Sequence, residues 1–513
     1  MNWKQNRDWI VLLFFTLSLA ACDAADPQVD DAAIDDAAIV EGATSVAAQP
    51  PNIVFIFADD LGIADTSVYG SEVINTPSID NLAKTGVRFT NGYVTHPVCS
   101  PSRAGVLTGR YQQRHGWEFN PAGRDFDTGM SIAESTFADE LKASGYATAM
   151  VGKWHLGHDG PYHPLQRGFD EFFGVLAGGS IFIDPDTPGV ETIGQVSNTR
   201  SSLVSIKRGY DTEVVDDYLT DVFTGEAVDF IERHQEKPFF LYLSHTAPHT
   251  PLQATSKYLD RYRHIEDPAT RIYAAMVASL DDSVAAVIAK LEETGLRDNT
   301  LVVFASDNGC AEYINGACSN APFAGFKRYH QEGGIRVPFI LNWPAGLPSG
   351  AIYEHPVISL DLLATFTAAA GAPVQTEDSV NLLPYLRGDR EDAPHEYLFW
   401  RAGPTIAIRD ARWKLIRYNK TLLTTADLRS KGLLEPPDNG WSTESPHGQL
   451  TLLYDLLNDP GETKNLAEQH PEIVARLATA HAQWAGELSE TKILPGLRST
   501  VTEMHGESVQ LVF

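Results

Sequence analysis

Four short apolar segments, each followed directly by polar side chains, constrain the fold of this chain most strongly. They are rich in β-branched and aromatic residues, as is typical of strands buried on both faces of a parallel sheet. These segments cover residues 52–58, 146–152, 238–243 and 300–305. Segments with helical character lie between them, at residues 136–144, 221–234 and 270–294. Alternating strands and helices predict an α/β fold, with a mostly parallel sheet flanked by helices on both faces.

Each predicted strand leads into side chains that can bind metals, anions or protons, and sheets of this type place their ligands at the carboxyl ends of the strands. The residues are Asp59 and Asp60, Lys153 and His155, His245 and His249, and Asp307 and Asn308. Taken singly, Asp-Asp after a strand and Asp-Asn-Gly also occur as helix caps and turns. Taken together, three carboxylates and an amide oxygen form the hard donor set that suits Ca²⁺ or Mg²⁺. We therefore expect these clusters to converge at one edge of the sheet.

The overall charge excludes one class of partner. The 513 residues carry a formal net charge of -28, whereas binding to nucleic acid depends on a basic surface. Any anion-binding site in this chain must therefore be locally basic, and Arg103, Lys153 and Lys327 are the candidates for that charge.

A segment of twelve residues resembles a known signature. Residues 99–110 read Cys-Ser-Pro-Ser-Arg-Ala-Gly-Val-Leu-Thr-Gly-Arg, and they closely resemble the motif of the formylglycine-dependent (type I) sulfatases. Other segments are similar to successive motifs of that family, in the same order along the chain. They lie at residues 52–62, 152–157, 247–252, 306–309, 325–327, 332–338 and 453–467. The resemblance extends from Asn52 to about Trp484.

The resemblance implies a nucleophile and a metal site. A formylglycine-generating maturation enzyme would oxidise Cys99 to formylglycine, whose hydrate is the nucleophile in this family. Asp59, Asp60, Asp307 and Asn308 would hold a divalent cation together with the formylglycine at Cys99. In this family the cation is usually Ca²⁺ rather than Mg²⁺.

The resemblance also implies roles for cations and histidines. Arg103 and Lys153 would neutralise the hydrated aldehyde and the sulfate, and Lys327 would hold sulfate oxygens. His249 would be the general acid for the departing alcohol, with Lys327 as a candidate to assist it. His155 would be the base that collapses the sulfated intermediate.

The domain organisation follows from the same resemblance. It implies the alkaline-phosphatase-like form of the α/β fold, with a catalytic domain at residues 52–389 and a smaller C-terminal α+β subdomain at 390–513. In the subdomain, apolar and aromatic runs predict short strands and one helix. The strands are expected at 397–400, 405–409, 413–418 and 452–454, and the helix at 471–488.

The first 51 residues are predicted to target and tether the protein. Lys4 and Arg7 precede an apolar run at residues 9–19, which is too short to span a bilayer but suits a secretory signal. The run ends in Leu-Ala-Ala-Cys, which resembles the lipobox of bacterial lipoproteins. We therefore expect a signal peptide at 1–21 and lipidation of Cys22, with ordinary cleavage nearby as the alternative.

Residues 22–51 are expected to form a disordered tether, because seven acidic and no basic side chains occur between residues 23 and 51. The protein would then be exported and anchored by lipid to a bacterial cell membrane, facing the periplasm or the cell surface.

The chain has only four cysteines. If Cys22 is lipidated and Cys99 is converted, Cys310 and Cys318 remain, at short separation and in an oxidising compartment. They are candidates for a local disulfide, and two reduced thiols in a loop are the alternative.

The leading functional hypothesis is a sulfatase that acts on a sulfated polysaccharide or oligosaccharide. The alternatives are a phosphodiesterase or phosphonate hydrolase of the alkaline phosphatase type, and a non-catalytic protein that binds sulfated glycans. His158, His163, Arg200 and Arg208 are candidate substrate contacts, although each also fits an ordinary surface residue. His245 fits a structural or substrate-side group better than a catalytic one.

Overall fold

A mixed ten-stranded sheet, parallel at its centre, organises most of the chain that the structure describes. The structure is a computed structural model, and it describes residues 49–121, 128–194, 205–314, 316–420, 427, 430, 448–491 and 499–513. In chain order its strands are Asn52–Ala58 (β1), Val87–Phe89 (β2), Gly92–Tyr93 (β3), Ala147–Lys153 (β4), Glu171–Val175 (β5), Val190–Ile193 (β6), Ile206–Arg208 (β7), Asp211–Glu213 (β8), Phe239–Ser244 (β9), Leu252–Thr255 (β10), Thr300–Ser306 (β11), Phe339–Asn342 (β12), Ala351–Tyr353 (β13), Val357–Ile358 (β14), Leu398–Ala402 (β15), Thr405–Arg409 (β16), Trp413–Asn419 (β17), Gln449–Asp455 (β18), Ser499–Met504 (β19) and Glu507–Val512 (β20). The large sheet has the order β13-β2-β12-β11-β1-β9-β4-β5-β7-β8.

The four strands predicted from the sequence are the four central strands of this sheet. β1 pairs in parallel with β11 on one side and with β9 on the other, and β9 pairs in parallel with β4. Their carboxyl ends therefore lie along one edge. The flanking strands β12 and β7 run antiparallel to their neighbours, so the sheet is mixed.

Helices cover both faces of the sheet, because alternate side chains of the central strands are buried on opposite sides. Along β1, Ile53 and Phe55 belong to one apolar core, and Val54 and Ile56 belong to the other. The helices in chain order are Pro77–Thr85 (α1), Cys99–Thr108 (α2), Phe137–Ala143 (α3), Leu219–Arg233 (α4), Ser256–Leu259 (α5), Pro268–Glu293 (α6), Glu332–Ile335 (α7), Asp361–Ala369 (α8), Leu383–Leu386 (α9) and Pro471–Ala485 (α10). α4 and α6 pack together on one face, and α2 and α3 pack with α8 on the other.

Local sequence explains where the predicted helices begin. Thr136 caps α3, because its side chain accepts a hydrogen bond from the Asp139 backbone, and Asp139 completes a capping box. Asp267 caps α6 in the same way, and Pro268 occupies the first turn, where its missing N–H costs nothing. By length and composition α6 could also cross a membrane, with a mean hydropathy of 1.6 over its most apolar window, but 72% of that window is buried in the fold. That burial is typical of the core helix of a folded domain.

A second, six-stranded antiparallel sheet follows the first. Its order is β15-β16-β17-β20-β19, with β18 also paired to β17, and α10 packs against β16 and β17. The predicted strands and helix of the subdomain correspond to β15 to β18 and α10. The hairpin of β19 and β20 was not expected from the sequence.

The architecture confirms the predicted fold class, an alkaline-phosphatase-like mixed sheet flanked by helices with a smaller α+β part. The boundary between residues 389 and 390 stays a prediction. The predicted signal peptide, Cys22, Arg200 and all of the predicted tether before Gln49 lie outside the described residues.

Candidate active site

The carboxyl ends of β1 and β11 bring the predicted acidic residues together. The Asp307 backbone N–H donates to Ala58 O (3.1 Å), and the Asp60 backbone N–H donates to the Asp307 carboxylate (3.1 Å). Asp60 has a φ of 63°, in the left-handed region that non-glycine residues seldom occupy. Such backbone conformations occur where the surrounding structure holds a side chain in a functional position.

The donor atoms at this edge fit a divalent cation. One ligand atom from each of Asp59, Asp60, Cys99 and His249 lies within 4.8 Å of the others. Asn308 donates its Nδ2 to Asp60 Oδ1 (2.7 Å), while its own Oδ1 is buried and has no hydrogen-bond partner. A buried amide oxygen without a partner is costly, and a hard cation would satisfy it. The residues therefore fit the Ca²⁺ or Mg²⁺ that the sequence predicts.

Each of the three carboxylates is also paired with a buried basic side chain. Lys153 Nζ lies 2.7 Å from Asp59 Oδ2, and Lys327 Nζ lies 2.8 Å from Asp60 Oδ1. These pairs, together with the one made by Arg103, supply the locally cationic pocket that the acidic composition requires.

Arg103 makes the third pair and connects the ends of three strands, β4, β9 and β11. Its Nε donates to Asp307 Oδ2 (2.9 Å), and its Nη1 donates to Ser244 Oγ (2.5 Å) and to Lys153 O (3.2 Å). Burial, reinforced by the charge of Asp59, raises the pKa of Asp307, although Arg103 opposes that shift. A bound cation would act in the same direction as Arg103 and favour the carboxylate.

Cys99 lies at the first position of α2, facing the acidic cluster. Its Sγ is 3.5 Å from Asp59 Oδ1 and 3.8 Å from Asp60 Oδ1, and the residue is 1% exposed. Burial raises the pKa of the thiol, and the charge of Asp307 raises it further. The thiolate is the reactive form of cysteine, so an unmodified thiol here is a poor nucleophile.

Two of the three histidines predicted at strand ends lie beside this cluster. His249 Nδ1 contacts Thr250 O (2.7 Å), and its Nε2 is 3.6 Å from Asp60 Oδ2. Burial lowers the pKa of His249 to about 3. His155 has a φ of 61° and a buried Nδ1 without a hydrogen-bond partner. Burial and the charge of Lys153 lower its pKa well below the ordinary value.

Known proteins that resemble this chain show the family to which it belongs. The sulfatase family model matches residues 51–372. The chain belongs to the sulfatase family. Human N-acetylgalactosamine-6-sulfatase is 32% identical over 474 residues, which cover 86% of this chain and 86% of the relative. That relative is a sulfuric ester hydrolase, and so is this chain by family.

Solved structures agree on the fold. The crystal structure of Ps i-CgsB superposes with a TM-score of 0.75 at 32% identity, over 86% of this chain and 94% of that one. A second crystal structure of Ps i-CgsB holds k-i-k-neocarrahexaose. The phosphonate monoester hydrolase of Agrobacterium radiobacter superposes with a TM-score of 0.60 at 20% identity, over 90% of this chain and 99% of that one, which shows a shared fold alone.

The site of this sulfatase also includes contacts from three side chains that were not predicted from the sequence. Tyr313 donates its hydroxyl to Asp60 Oδ2 (3.2 Å), Ser244 accepts from Arg103, and Ser306 Oγ accepts from the Leu61 backbone (3.0 Å). Ser244 and Ser306 are the last residues of β9 and β11. Their position at strand ends was the signal that could have found them, whereas Tyr313 lies in a short 3-10 helix, Glu312–Ile314, that has no such signal.

Other predicted residues lie away from the reaction centre. His245 is fully buried and contacts Ser283 Oγ of α6 (2.9 Å), as expected of a structural residue. His163 is buried and stacks on Tyr210 (4.3 Å between ring centroids), whereas Arg208 is half-exposed and paired with two carboxylates, which fits the alternative of an ordinary surface residue.

His158 and the remaining cysteines complete the set of predicted residues. His158 is buried, close enough to His155 for its charge to act on the pKa of that residue. Cys310 and Cys318 form a disulfide, with 6.1 Å between their Cα atoms. It closes the loop between β11 and Lys327, which positions Tyr313 beside Asp60.

Proposed function

We propose that this sulfatase hydrolyses sulfate esters on a polysaccharide or oligosaccharide, with formylglycine at position 99 and a divalent cation, Ca²⁺ rather than Mg²⁺. The observation that supports this most is the arrangement around Cys99. A buried residue at a helix start faces three carboxylates, an amide oxygen without a partner and three basic side chains. The sugar substrate is proposed because N-acetylgalactosamine-6-sulfatase is a relative and because Ps i-CgsB has been crystallised with a carrageenan oligosaccharide.

The charges of the site suit a sulfate ester. Three carboxylates are balanced by Arg103, Lys153 and Lys327, so a bound divalent cation would leave the pocket with a net charge of about +2. The cation would supply electrostatic stabilisation for the nucleophile and the sulfate oxygens. Lys153 and Lys327 would bind the equatorial oxygens, where negative charge is concentrated in the transition state.

Modification of Cys99 would replace a protonated thiol with an aldehyde hydrate. The hydrate supplies an oxygen nucleophile together with a second hydroxyl, from which the aldehyde can form again. We infer that a formylglycine-generating maturation enzyme is the partner that installs it. Arg103, anchored on Asp307 and Ser244, would orient the group at position 99.

His249 and His155 are proposed to move the protons. The contact of His249 Nδ1 with Thr250 O fixes the ring, so that Nε2 faces the pocket and can give a proton to the departing sugar oxygen. The negative charge of a bound sulfate would favour the protonated form of His249 and raise its pKa, whereas the bound cation would act in the opposite direction. Lys327 is charged, with a pKa raised well above its ordinary value because Asp60 outweighs the effect of burial, and it could assist as a donor. His155 is proposed as the base that resets the site.

We also propose that the protein is exported and anchored by lipid at Cys22, facing the periplasm or the cell surface. The support is the sequence before residue 52: a basic start, an apolar run, the Leu-Ala-Ala-Cys segment and an acidic stretch. Such a tether would hold the enzyme at a membrane while leaving its site free for external polysaccharide.

Rates on matched esters test the proposed reaction. Protein produced together with a maturation enzyme should release sulfate from 4-nitrophenyl sulfate and from sulfated oligosaccharides, with kcat/KM higher than for the corresponding phosphate and phosphonate esters. The Cys99→Ala variant serves as a control for contaminating activity. A preference for phosphonate or phosphate diesters would instead support the alternative hydrolase.

A further inference from the structure

We propose that Arg328 binds a second anionic group of the sugar substrate, a sulfate ester or a carboxylate, beside the sulfate that is cleaved. This inference rests on the proposed function and deepens it, because it assigns the substrate class. The preferred substrate would be a sugar with two negative charges, on one unit or on adjacent units.

Backbone hydrogen bonds fix the position of Arg328 next to residues of the proposed active site. It directly follows Lys327, whose backbone N–H donates to Cys310 O (2.8 Å). The backbone N–H of Arg328 donates to Pro97 O (2.8 Å), two residues before Cys99. The backbone of Arg328 is therefore held next to the segment that leads to the proposed nucleophile and directly after a proposed sulfate ligand.

The backbone of Arg328 is unusual in the same way as that of the site. Its φ is 84°, in the region that favours glycine. Within the described part of the chain, only five non-glycine residues have a positive φ, and two of the others are Asp60 and His155. An arginine in this conformation costs free energy that glycine would not. Its side chain must therefore contribute something that compensates for the cost.

The side chain of Arg328 contacts two aromatic rings, one of which belongs to a residue of the site. The guanidinium carbon lies 5.1 Å from the Tyr313 ring centroid and 4.0 Å from the Phe513 ring centroid. The Tyr313 hydroxyl in turn contacts Asp60 and Lys327, with Lys327 Nζ at 3.4 Å. A single tyrosine ring thus separates the guanidinium from the residues proposed to bind the first sulfate. Stacking on aromatic rings fixes the plane of a guanidinium without using its hydrogen-bond donors.

Arg328 has no anionic partner among the described residues. No carboxylate there lies within 4.0 Å of it, and its Nε is buried without a hydrogen-bond partner. Arg401, by contrast, is held by Glu118 at 2.8 Å. In a chain with a net charge of -28, an unpaired and oriented guanidinium beside an anion site is available to bind a second anion.

The test compares pairs of substrates that differ by one charge. One pair is N-acetylglucosamine 6-sulfate and glucosamine-2-N,6-O-disulfate, and another is a 6-sulfated disaccharide with and without a neighbouring uronic acid. The quantity measured is the ratio of kcat/KM for the doubly charged substrate to that for the singly charged one. We expect this ratio to exceed one in at least one pair, and that pair distinguishes sulfate from carboxylate as the second anion.

Variants at position 328 then separate binding from packing. Arg328→Ala and Arg328→Gly should each reduce the ratio in the preferred pair by about ten- to hundredfold, the effect of losing a charge-assisted hydrogen bond. Arg328→Lys should reduce it less, because it keeps the charge but not the planar fork. Arg328→Gly should have a melting temperature at least equal to that of Arg328→Ala, because glycine accepts the backbone conformation.

A matched control is Arg387→Ala. Arg387 also stacks on an aromatic ring, that of Trp343, but Trp343 follows β12 at the edge of the sheet opposite the site. In the Arg387→Ala variant, the ratio of kcat/KM values for the two substrates should equal that of the unaltered protein. Two results would overturn the role of Arg328. One is a kcat/KM ratio of one in every pair of substrates, and the other is an equal loss of kcat/KM for both substrates of a pair in the Arg328 variants. A failure of formylglycine-bearing protein to release sulfate from any substrate would instead refute the proposed function itself.

Discussion

Lys414→Met provides a quantitative test of what joins the second sheet to the active-site region. Lys414 Nζ in β17 lies 2.8 Å from Glu332 Oε1 and 2.9 Å from Glu462 Oε1, and all three side chains are fully buried. Glu462 also accepts from the Glu332 backbone N–H (2.6 Å), and Tyr93 donates to Glu332 Oε2 (2.5 Å). Glu332 begins α7, which follows the loop that carries Lys327. The cluster therefore anchors that loop.

The expected loss of folding stability in Lys414→Met follows from this arrangement. Removing one partner from a buried ion pair costs about 3–5 kcal/mol, because the remaining charges are no longer compensated. Burial and the charge of Glu332 already raise the pKa of Glu462, so this carboxylate would be the first to bind a proton in the variant. With an unfolding entropy of about 2.1 cal/mol/K per residue over roughly 450 residues, the loss corresponds to about 3–5 °C in melting temperature.

Differential scanning calorimetry at neutral pH measures this change. The double variant Lys414→Met with Glu462→Gln should recover part of the loss, because the unpaired charge is gone while the amide oxygen can still accept from Glu332. Lys142→Met is the control, since the pair of Lys142 with Asp170 is 47% and 42% exposed and pairs of that kind contribute about 0–1 kcal/mol. A Lys414→Met protein as stable as the unaltered one would refute the reasoning.

Two further predictions concern pH and metal. Burial opposes protonation of His395, but the charge and hydrogen bond of Asp361 (2.9 Å) outweigh it and raise the pKa of His395. A raised pKa means that the pair stabilises the fold below the unfolded pKa, about 6.5, and that this contribution is lost as pH rises through the folded value. The melting temperature of the unaltered protein should therefore fall relative to that of His395→Asn as the pH rises above about 6.5, and parallel curves would contradict the assignment. For the metal, Ca²⁺ added to chelated protein should raise the melting temperature by binding the folded state. Asn308→Ala should reduce that increase. Asn299→Ala, at the opposite end of β11, is the control and should leave the increase intact. An equal increase in the unaltered protein and both variants would show that Asn308 does not belong to the metal site.

The central strands could be predicted from the sequence, whereas the edge strands could not. β1, β4, β9 and β11 are buried on both faces and read as continuous apolar runs. The edge strand β8 is exposed and polar, so its pairing with β7 carries no hydrophobic signal. One local feature, the backbone conformation of its turn, is typical of the hairpin formed by β19 and β20. His505 and Gly506 both have a positive φ, as in the two-residue turns that join antiparallel strands.

The candidate site was predictable to the extent that it lies at strand ends. Asp59 and Asp307 were expected to meet because parallel strands share an edge, and the structure places their clusters together. Arg208 was a candidate substrate contact with an ordinary surface residue as the alternative, and its pairing with Glu213 and Glu226 at a half-exposed position fits that alternative. Tyr313 was not expected, because only the folded loop places its hydroxyl on Asp60. The catalytic roles themselves stay predictions.

Mass spectrometry of the peptide that contains residue 99, combined with an assay of sulfate release, tests the central claim most directly. Preparations made with different amounts of maturation enzyme should differ in the fraction of Cys99 converted to formylglycine, and their sulfatase activity should rise in proportion to that fraction. Cys99→Ser should not sustain turnover, because serine lacks the second oxygen of the aldehyde hydrate. Full sulfatase activity in a preparation whose Cys99 is entirely unmodified would contradict the account.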